Sequence, residues 1–266
     1  MLTEPRPTDL SAGLRLWRQR RRVSQLELAI RAGTTQRHVS FIESGRSLPG
    51  RDMVIRLAES LQLPLRDRNA LLLAGGFAPA YDETPYDDPS LGAIRAALAG
   101  IVEGHRQYPA VVVNRRGDLV LTNRSFDVLI AGVAPYLLEE PVNGPRLLLH
   151  PDGLAPRIVN FAEWSWHVLD ALTREAAQNP APEADALIEE LTALVPPRPP
   201  SGPDHLGFAV PLQLDSSYGE LRLITTLTRF GTAIEVTVSE LRMEAFLPAD
   251  EATAKALRLL DPAAPG

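Results

Sequence analysis

The sequence predicts two domains of different class: an all-α domain of five helices, followed by an α+β domain with a five-stranded antiparallel sheet. Two observations support this division. Before residue 75, apolar residues recur with a helical period, and Ser, Thr, Gly or Pro separates one segment from the next. From residue 110 onward, short apolar runs predict strands. These runs are residues 110–113, 119–122, 206–215, 219–228 and 232–242.

The domain boundaries follow from composition. Residues 1–78 hold the five predicted helices, and residues 79–90 are an acidic, proline-containing linker. Residues 91–262 form the second domain. It is predicted to hold helices at 90–104, 124–131, 155–178, 183–194 and 250–260.

The helix pair in residues 24–46 is the most informative stretch of the first domain. Ser24 is a typical N-cap residue, and Glu27 completes a capping box. Gly33 ends the first helix, since glycine adopts a positive φ angle without strain. In the second helix Val39 and Ile42 point inward. The outward positions are Gln36, Arg37, Ser40 and Phe41.

A helix with a polar outward face fits the DNA major groove, where side chains near its N-terminus reach base edges. The pattern Ser-Gln-x-x-Leu-Ala-x-x-x-Gly, followed by Ser-x-x-Glu-x-Gly-Arg, resembles the helix-turn-helix of the Cro/phage-repressor (XRE) class of transcription regulators. This resemblance implies that Arg18 pairs with Glu43 in a structural role.

The outward residues have chemistry suited to reading bases. Gln36 can pair with adenine and Arg37 with guanine or a phosphate, whereas Gln25 can contact a phosphate and brace Gln36. Ser40 is small enough for close approach. Phe41 either contacts thymine methyl groups or packs on Trp17 or the neighbouring domain. The expected phosphate contacts are Thr35, Ser44, Arg46 and Arg51; Arg20, Arg21 and Arg22 either contact phosphates or form a solvated helix end.

In the second domain, the order strand, turn, strand, helix is how a PAS-type sensor domain opens. Residues 143–164, from Asn143-Gly-Pro-Arg to Glu163-Trp164, resemble the signature of the MmyB-like transcription-regulator ligand-binding domain. In that family such a domain follows an XRE-type head. The resemblance implies a ligand-responsive regulator, and fatty-acyl-like effectors have been considered for the family.

The polar and aromatic groups of this signature are the candidate ligand-binding residues: Arg146, His150, Arg157, Asn160, Trp164 and His167. On a helix starting at residue 155, Arg157, Asn160 and Trp164 would share one face. Two interpretations remain open. Either a cation meets a ligand carboxylate while Trp164 walls an apolar cavity, or these side chains hold the helical segment to the sheet by internal hydrogen bonds.

Composition excludes several other classes. The 266 residues include no cysteine, which excludes disulfides and thiolate metal sites. No apolar run reaches the roughly 18 residues of a membrane span, and the N-terminus lacks a secretory pattern, so a cytoplasmic protein is expected. The sequence has no nucleotide-binding glycine motif, no Gly-x-Ser-x-Gly and no metal-like histidine spacing. We expect neither an enzyme nor a metal site nor a cofactor, apart from a fatty-acid-like effector.

Charge is distributed unevenly along the chain. Residues 1–80 contain 13 arginines against 7 acidic residues, whereas the remainder contains 14 basic against 26 acidic residues. This asymmetry favours a first domain that binds DNA and a second domain that does not contact DNA. The sequence therefore predicts a homodimeric transcription regulator that binds a double-stranded DNA operator and senses a small apolar effector. The alternative is a DNA-binding regulator whose second domain is a protein-interaction or dimerisation module without a small ligand.

Overall fold

The computed structural model describes residues 9–179, 182–200, 210–230 and 233–259, and their contacts divide the chain into two units. The first unit contains the described residues up to Tyr86 together with residues 233–239. The second unit contains the described residues from Asp87 to Phe230 and from Glu240 to 259. Residues 1–8 and 260–262 of the predicted domains lie outside the described residues.

Five helices form the first unit's core, and they agree with the five predicted from the sequence. They are α1 (Leu10–Arg20), α2 (Gln25–Arg31), α3 (Gln36–Glu43), α4 (Arg51–Ser60) and α5 (Leu65–Ala74). Side chains cap the early helices: Asp9 accepts N–H groups of α1, Ser24 accepts one of α2 and Thr35 one of α3. Leucine, valine and isoleucine from all five helices make one buried apolar cluster.

The second unit contains both helices and strands. Its first elements are α6 (Gly92–Gly104), β1 (Ala110–Val113), β2 (Leu119–Thr122), α7 (Asp127–Ile130), α8 (Gly144–Leu149), α9 (Phe161–Gln178) and α10 (Pro182–Thr192). Then follow β3 (Leu212–Ser216), β4 (Gly219–Arg229), β5 (Arg242–Pro248) and α12 (Glu251–Arg258). Between β4 and β5 the chain forms a short helix, α11 (Val236–Ser239), which belongs to the first unit. No helix in the described ranges is long and apolar enough to cross a membrane.

The five strands form one antiparallel sheet in the order β2-β1-β5-β4-β3. The sequence prediction of a five-stranded antiparallel sheet is therefore confirmed. Val111 and Val113 of β1 lie in the unit's main apolar cluster, with Phe246 of β5 and Leu221 and Leu223 of β4. This face of the sheet is called the inner face below.

Helix α9 lies on the inner face and is fixed at both ends. Before its first turn, the Asn160 side chain bonds the Pro211 carbonyl at 2.9 Å and the Gln213 N–H at 3.1 Å. Near its last turn, Glu175 accepts from Arg242 of β5 at 2.7 Å and from Arg229 of β4 at 3.3 Å. Helix α9 is therefore tied to the start of β3 at one end and to β5 and the end of β4 at the other.

Three predicted elements differ from the structure in their bounds or type. The helix expected from residue 155 begins at Phe161, because residues 155–157 form a 3-10 turn and Ile158 forms a bridge to Leu214. The strand expected at 232–242 is absent from described residues 233–241, where α11 forms, and β5 begins only at Arg242. Of the strand expected at 206–215, residues 206–209 lie outside the described part, and β3 begins at Leu212.

Residues 233–239 connect two strands of the second unit but belong by their contacts to the first. The Glu235 carboxylate accepts the Thr84 N–H and the Val238 N–H, both at 2.7 Å, and the Val236 N–H donates to the Asp82 carbonyl at 2.8 Å. Val236 is fully buried. These bonds explain why the apolar run forms a helical turn here and not a strand.

Candidate functional site

Helices α2 and α3 present the candidate DNA-binding surface, and the turn between them depends on Gly33. Gly33 has a φ of +63°, and Gly45, which follows α3, has a φ of +72°. These left-handed conformations suit glycine because other side chains are strained there. Val39 and Ile42 are fully buried beneath α3. The opposite face of α3 is thereby directed outward.

A buried carboxylate links three helices by hydrogen bonds beneath this surface. Glu43 of α3 accepts two hydrogen bonds from the Arg18 guanidinium, at 2.6 and 2.9 Å, and a third from the Gln25 amide at 2.8 Å. Bonding to Glu43 raises the pKa of Arg18 above its ordinary value. The predicted structural pair of Arg18 and Glu43 is confirmed. The amide nitrogen of Gln25 is directed to Glu43, whereas its expected brace was to Gln36.

The remaining predicted DNA contacts lie on or beside α3. Gln36 and Arg37 are exposed, Ser40 and Phe41 are half-buried, and the Arg37 guanidinium carbon lies 5.1 Å from the centre of the Phe41 ring. The predicted phosphate contacts Thr35, Ser44, Arg46 and Arg51 are all exposed. Before them in the chain, Arg20 and Arg21 lie over the Trp17 ring, at 5.6 and 6.0 Å, and Arg22 is exposed.

Three candidate ligand-binding residues form hydrogen bonds or an ion pair with other groups of the second unit. Arg157 donates to the carbonyls of Val128, Leu129, Ala131 and Asp215, and burial lowers its pKa. Asn160 bonds the backbone at the start of β3, and Arg146 makes a two-point ion pair with Glu190 at 2.6 and 2.8 Å. The bond to Arg146 also lowers the pKa of Glu190.

The prediction that Arg157, Asn160 and Trp164 share one helical face is wrong. Arg157 lies in the 3-10 turn, Asn160 precedes α9, and only Trp164 lies on that helix. The first two side chains therefore form the internal hydrogen bonds of the second interpretation. That arrangement could not be found from a 3.6-residue period because the backbone is not helical between residues 158 and 160.

Trp164 differs from the other candidates because its polar atom is buried and has no partner in the described part of the chain. Its side chain belongs to the main apolar cluster and is only 3% exposed. Among the described residues, none accepts a hydrogen bond from its Nε1–H. His167 stacks on the indole with ring centres 5.3 Å apart, and His150 accepts the Asp152 N–H at 3.0 Å.

Thr225 is a second buried polar group on the inner face, and sequence reasoning missed it. It lies opposite Phe246 in the pairing of β4 with β5, and its hydroxyl oxygen has no hydrogen-bond partner within the described part of the chain. Nothing in the sequence distinguishes this threonine from other threonines in strands. Only the pairing register and the burial of its hydroxyl oxygen do so. Within the same described residues, no group of His, Asp and Glu has the arrangement of a metal site.

Comparison with known protein families gives a family match for each of the two parts of the chain. Residues 9–71 match a helix-turn-helix domain, so the protein is a DNA-binding regulator by class. Residues 94–260 match the MmyB-like transcription regulator ligand binding domain, and the chain belongs to this family. Neither family is an enzyme family. A search of curated proteins returned no significant match.

Proposed function

We propose that this protein is a cytoplasmic, non-enzymatic transcription regulator that binds an operator as a homodimer and responds to a small apolar effector in its second unit. One observation carries the DNA-binding part. The buried bonds of Glu43 fix α1, α2 and α3 together, while Gln36 and Arg37 stay exposed on α3. A fixed helix with exposed base-reading groups is what major-groove recognition requires.

A dimer is the expected DNA-binding form because one short helix makes too few base contacts for useful specificity. The expected operator is therefore a palindrome or pseudo-palindrome. Effector binding would shift the population between DNA-competent and DNA-incompetent dimers.

The DNA-binding part is tested with Arg37→Ala after in vitro selection of the operator. The variant should weaken operator binding by about 10-fold or more and relax specificity at one or two base pairs, because a two-point contact to guanine contributes about 1–3 kcal/mol. Electrophoretic mobility shift with the wild-type and mutated operators measures both effects. Arg56→Ala removes another exposed arginine, on α4, and should bind normally. An unchanged Arg37→Ala profile contradicts the assignment.

The unpartnered Trp164 N–H supports the ligand-binding part. An indole N–H is normally bonded when buried, and leaving a donor unpaired costs about 1–3 kcal/mol. An apolar ligand with one acceptor group, such as a fatty acyl compound, would satisfy this donor inside the apolar cluster. His167 is stacked on the indole, and Thr225 lies on the inner face of the sheet opposite Phe246, which belongs to the same apolar cluster as Trp164; these are polar groups that such a ligand would meet.

Native mass spectrometry, paired with the same sample under denaturing conditions, tests this part. We expect a dimer that carries a small apolar molecule, or that binds an added fatty acid between C8 and C18 in length. A dimer that carries no adduct and binds none of these acids contradicts the apolar-ligand proposal and favours the protein-interaction module.

A further inference from the structure

The side chains of Arg37 and Phe41 form a pair on the outward face of α3. The two residues are four apart, which places them one above the other on a helix. The Arg37 guanidinium carbon lies 5.1 Å from the centre of the Phe41 ring, within the range of a cation–π contact. Because Val39 and Ile42 occupy the buried side of the same helix, the pair stands on the exposed side.

The geometry of this contact leaves the arginine able to bind a base. A guanidinium is flat, and its N–H groups point outward in its own plane. The guanidinium carbon lies over the face of the Phe41 ring, so the ring covers one side of the guanidinium, and the N–H groups that point away from the ring remain available for the O6 and N7 atoms of guanine. Holding the arginine against the ring also lowers the entropy lost when it binds.

The aromatic ring next to this arginine would be stabilised by contact with an apolar group in the groove. The 5-methyl group of thymine is the apolar group that a base pair presents in the major groove. Neighbouring bases along one strand are about 3.4 Å apart, so a side chain beside the guanine-binding arginine reaches the next base. In right-handed DNA the methyl group of a pyrimidine on the 5′ side of guanine lies beside the guanine edge that arginine binds.

We propose that Arg37 and Phe41 act as one reading unit for a thymine-guanine step in each operator half-site. Arg37 bonds the guanine, and the thymine methyl group on its 5′ side packs against the Arg37 guanidinium and the Phe41 ring. This inference rests on the proposed DNA-binding function and adds the base step that the protein selects. It assigns Phe41 to the base-reading surface, in place of the alternative packing on Trp17 or the neighbouring domain.

The test changes the DNA first, so no variant has to fold. Operators are selected in vitro with the full-length protein, and each thymine is then replaced in turn by uracil, which lacks only the methyl group. We expect about a fourfold loss of affinity at the thymine preceding the contacted guanine, the value for one buried methyl-sized group. Uracil at other positions should have a smaller effect.

Protein variants then assign the methyl contact to the pair. Phe41→Ala and Arg37→Lys should each make binding insensitive to uracil at this step, whereas Leu48→Ala, which removes an exposed apolar side chain outside α3, should keep the sensitivity. Circular dichroism confirms that each variant is folded.

The possible results distinguish a failure of this inference from a failure of the proposed DNA-binding function. Sequence-specific binding without a thymine-guanine step, or with no response to uracil there, overturns the reading unit and leaves the DNA-binding function standing. A response that persists in Phe41→Ala overturns the role of the ring. Selection of no sequence at all contradicts the proposed function and this inference together.

Discussion

At the scale of single residues, Glu43 is the group on which the DNA-binding surface depends. Its side chain is only 4% exposed and the Arg18 side chain 13%. A charge pair this deeply placed is costly to break, because removal of one partner leaves the other charge buried. The resemblance to the XRE class identified the pair from sequence. It did not identify Gln25 as the third partner.

We predict that Glu43→Ala lowers the free energy of unfolding by about 3 kcal/mol, since it leaves the Arg18 guanidinium without its carboxylate. Urea unfolding in a Trp164→Phe/Trp166→Phe background, followed by the fluorescence of Trp17, which is buried in the same unit, measures the change. The double variant Arg18→Leu/Glu43→Leu should recover part of the loss, because no charge remains buried. A loss below about 0.5 kcal/mol in the single variant would show that the pair is unimportant.

Trp164 and Trp166 offer a matched comparison for the ligand. Both lie on α9, but the Trp166 Nε1–H donates to the Pro196 carbonyl at 3.0 Å, whereas the Trp164 Nε1–H has no acceptor among the described residues. We predict that Trp164→Phe weakens binding of a fatty acid about 5-fold to 20-fold by removing one hydrogen bond to the ligand.

The control for this prediction is Trp166→Phe, which should keep the wild-type affinity for the same fatty acid even if its stability falls. Isothermal titration calorimetry on the delipidated protein measures both variants. Equal affinities in the wild type and Trp164→Phe would remove Trp164 from the proposed site.

At the scale of elements, the start of α12 shows how a helix is tied to the sheet. Asp250 caps α12 by accepting the Thr253 N–H at 2.8 Å, and the Thr253 hydroxyl accepts the Arg222 N–H of β4 at 2.9 Å. The hydrogen bond from the Thr253 N–H lowers the pKa of Asp250 below its ordinary value of 3.8. The carboxylate form is therefore the one that stabilises the cap.

The lowered pKa fixes the direction of a pH effect. The stabilisation is present above the ordinary pKa and is lost as the pH falls through the lower pKa of the folded state. We predict that amide-exchange protection in the first turn of α12 decreases below pH 3.8 in the wild type. Asp250→Asn keeps a capping oxygen and should lose this local pH dependence. Identical pH profiles in the two proteins would disprove the role of Asp250.

Two elements show where local patterns stop being informative. The apolar periodicity of residues 155–178 fits a helix, but residues 155–157 form a 3-10 turn and Ile158 is extended in its bridge to Leu214, so the α-helix begins only at Phe161. Residues 232–242 are apolar enough for a strand, but the described residues 236–239 are helical because Glu235 caps the turn. In both cases a partner far away in the sequence, Leu214 or Thr84, competes with the local preference.

At the scale of the whole molecule, the uneven charge and the expected homodimer lead to a prediction about salt. Binding of DNA releases counterions, and the logarithm of affinity falls with the logarithm of salt concentration by about 0.9 per phosphate contact. Each substitution in a dimer removes two such contacts. We therefore predict that Arg46→Ala or Arg51→Ala lowers this slope by about 1.8.

Fluorescence anisotropy with a labelled operator at several salt concentrations measures the slope, with Arg56→Ala as the variant expected to leave it unchanged. A decrease of about 0.9 would indicate that one chain binds the operator, and no decrease would remove that arginine from the phosphate contacts.

The sequence by itself determined the order of an all-α part followed by an α+β part, the five helices of the first, the number of strands in the second and the outward face of α3. These features follow from local causes: helical and strand periods, N-caps and glycines that end helices. Only the tertiary structure decided that Arg157 and Asn160 bond backbone groups, that Arg37 lies over Phe41, and that the Trp164 Nε1–H and the Thr225 hydroxyl oxygen are buried without a partner among the described residues. Most of these facts depend on groups brought together from distant parts of the chain, and no local period encodes such contacts.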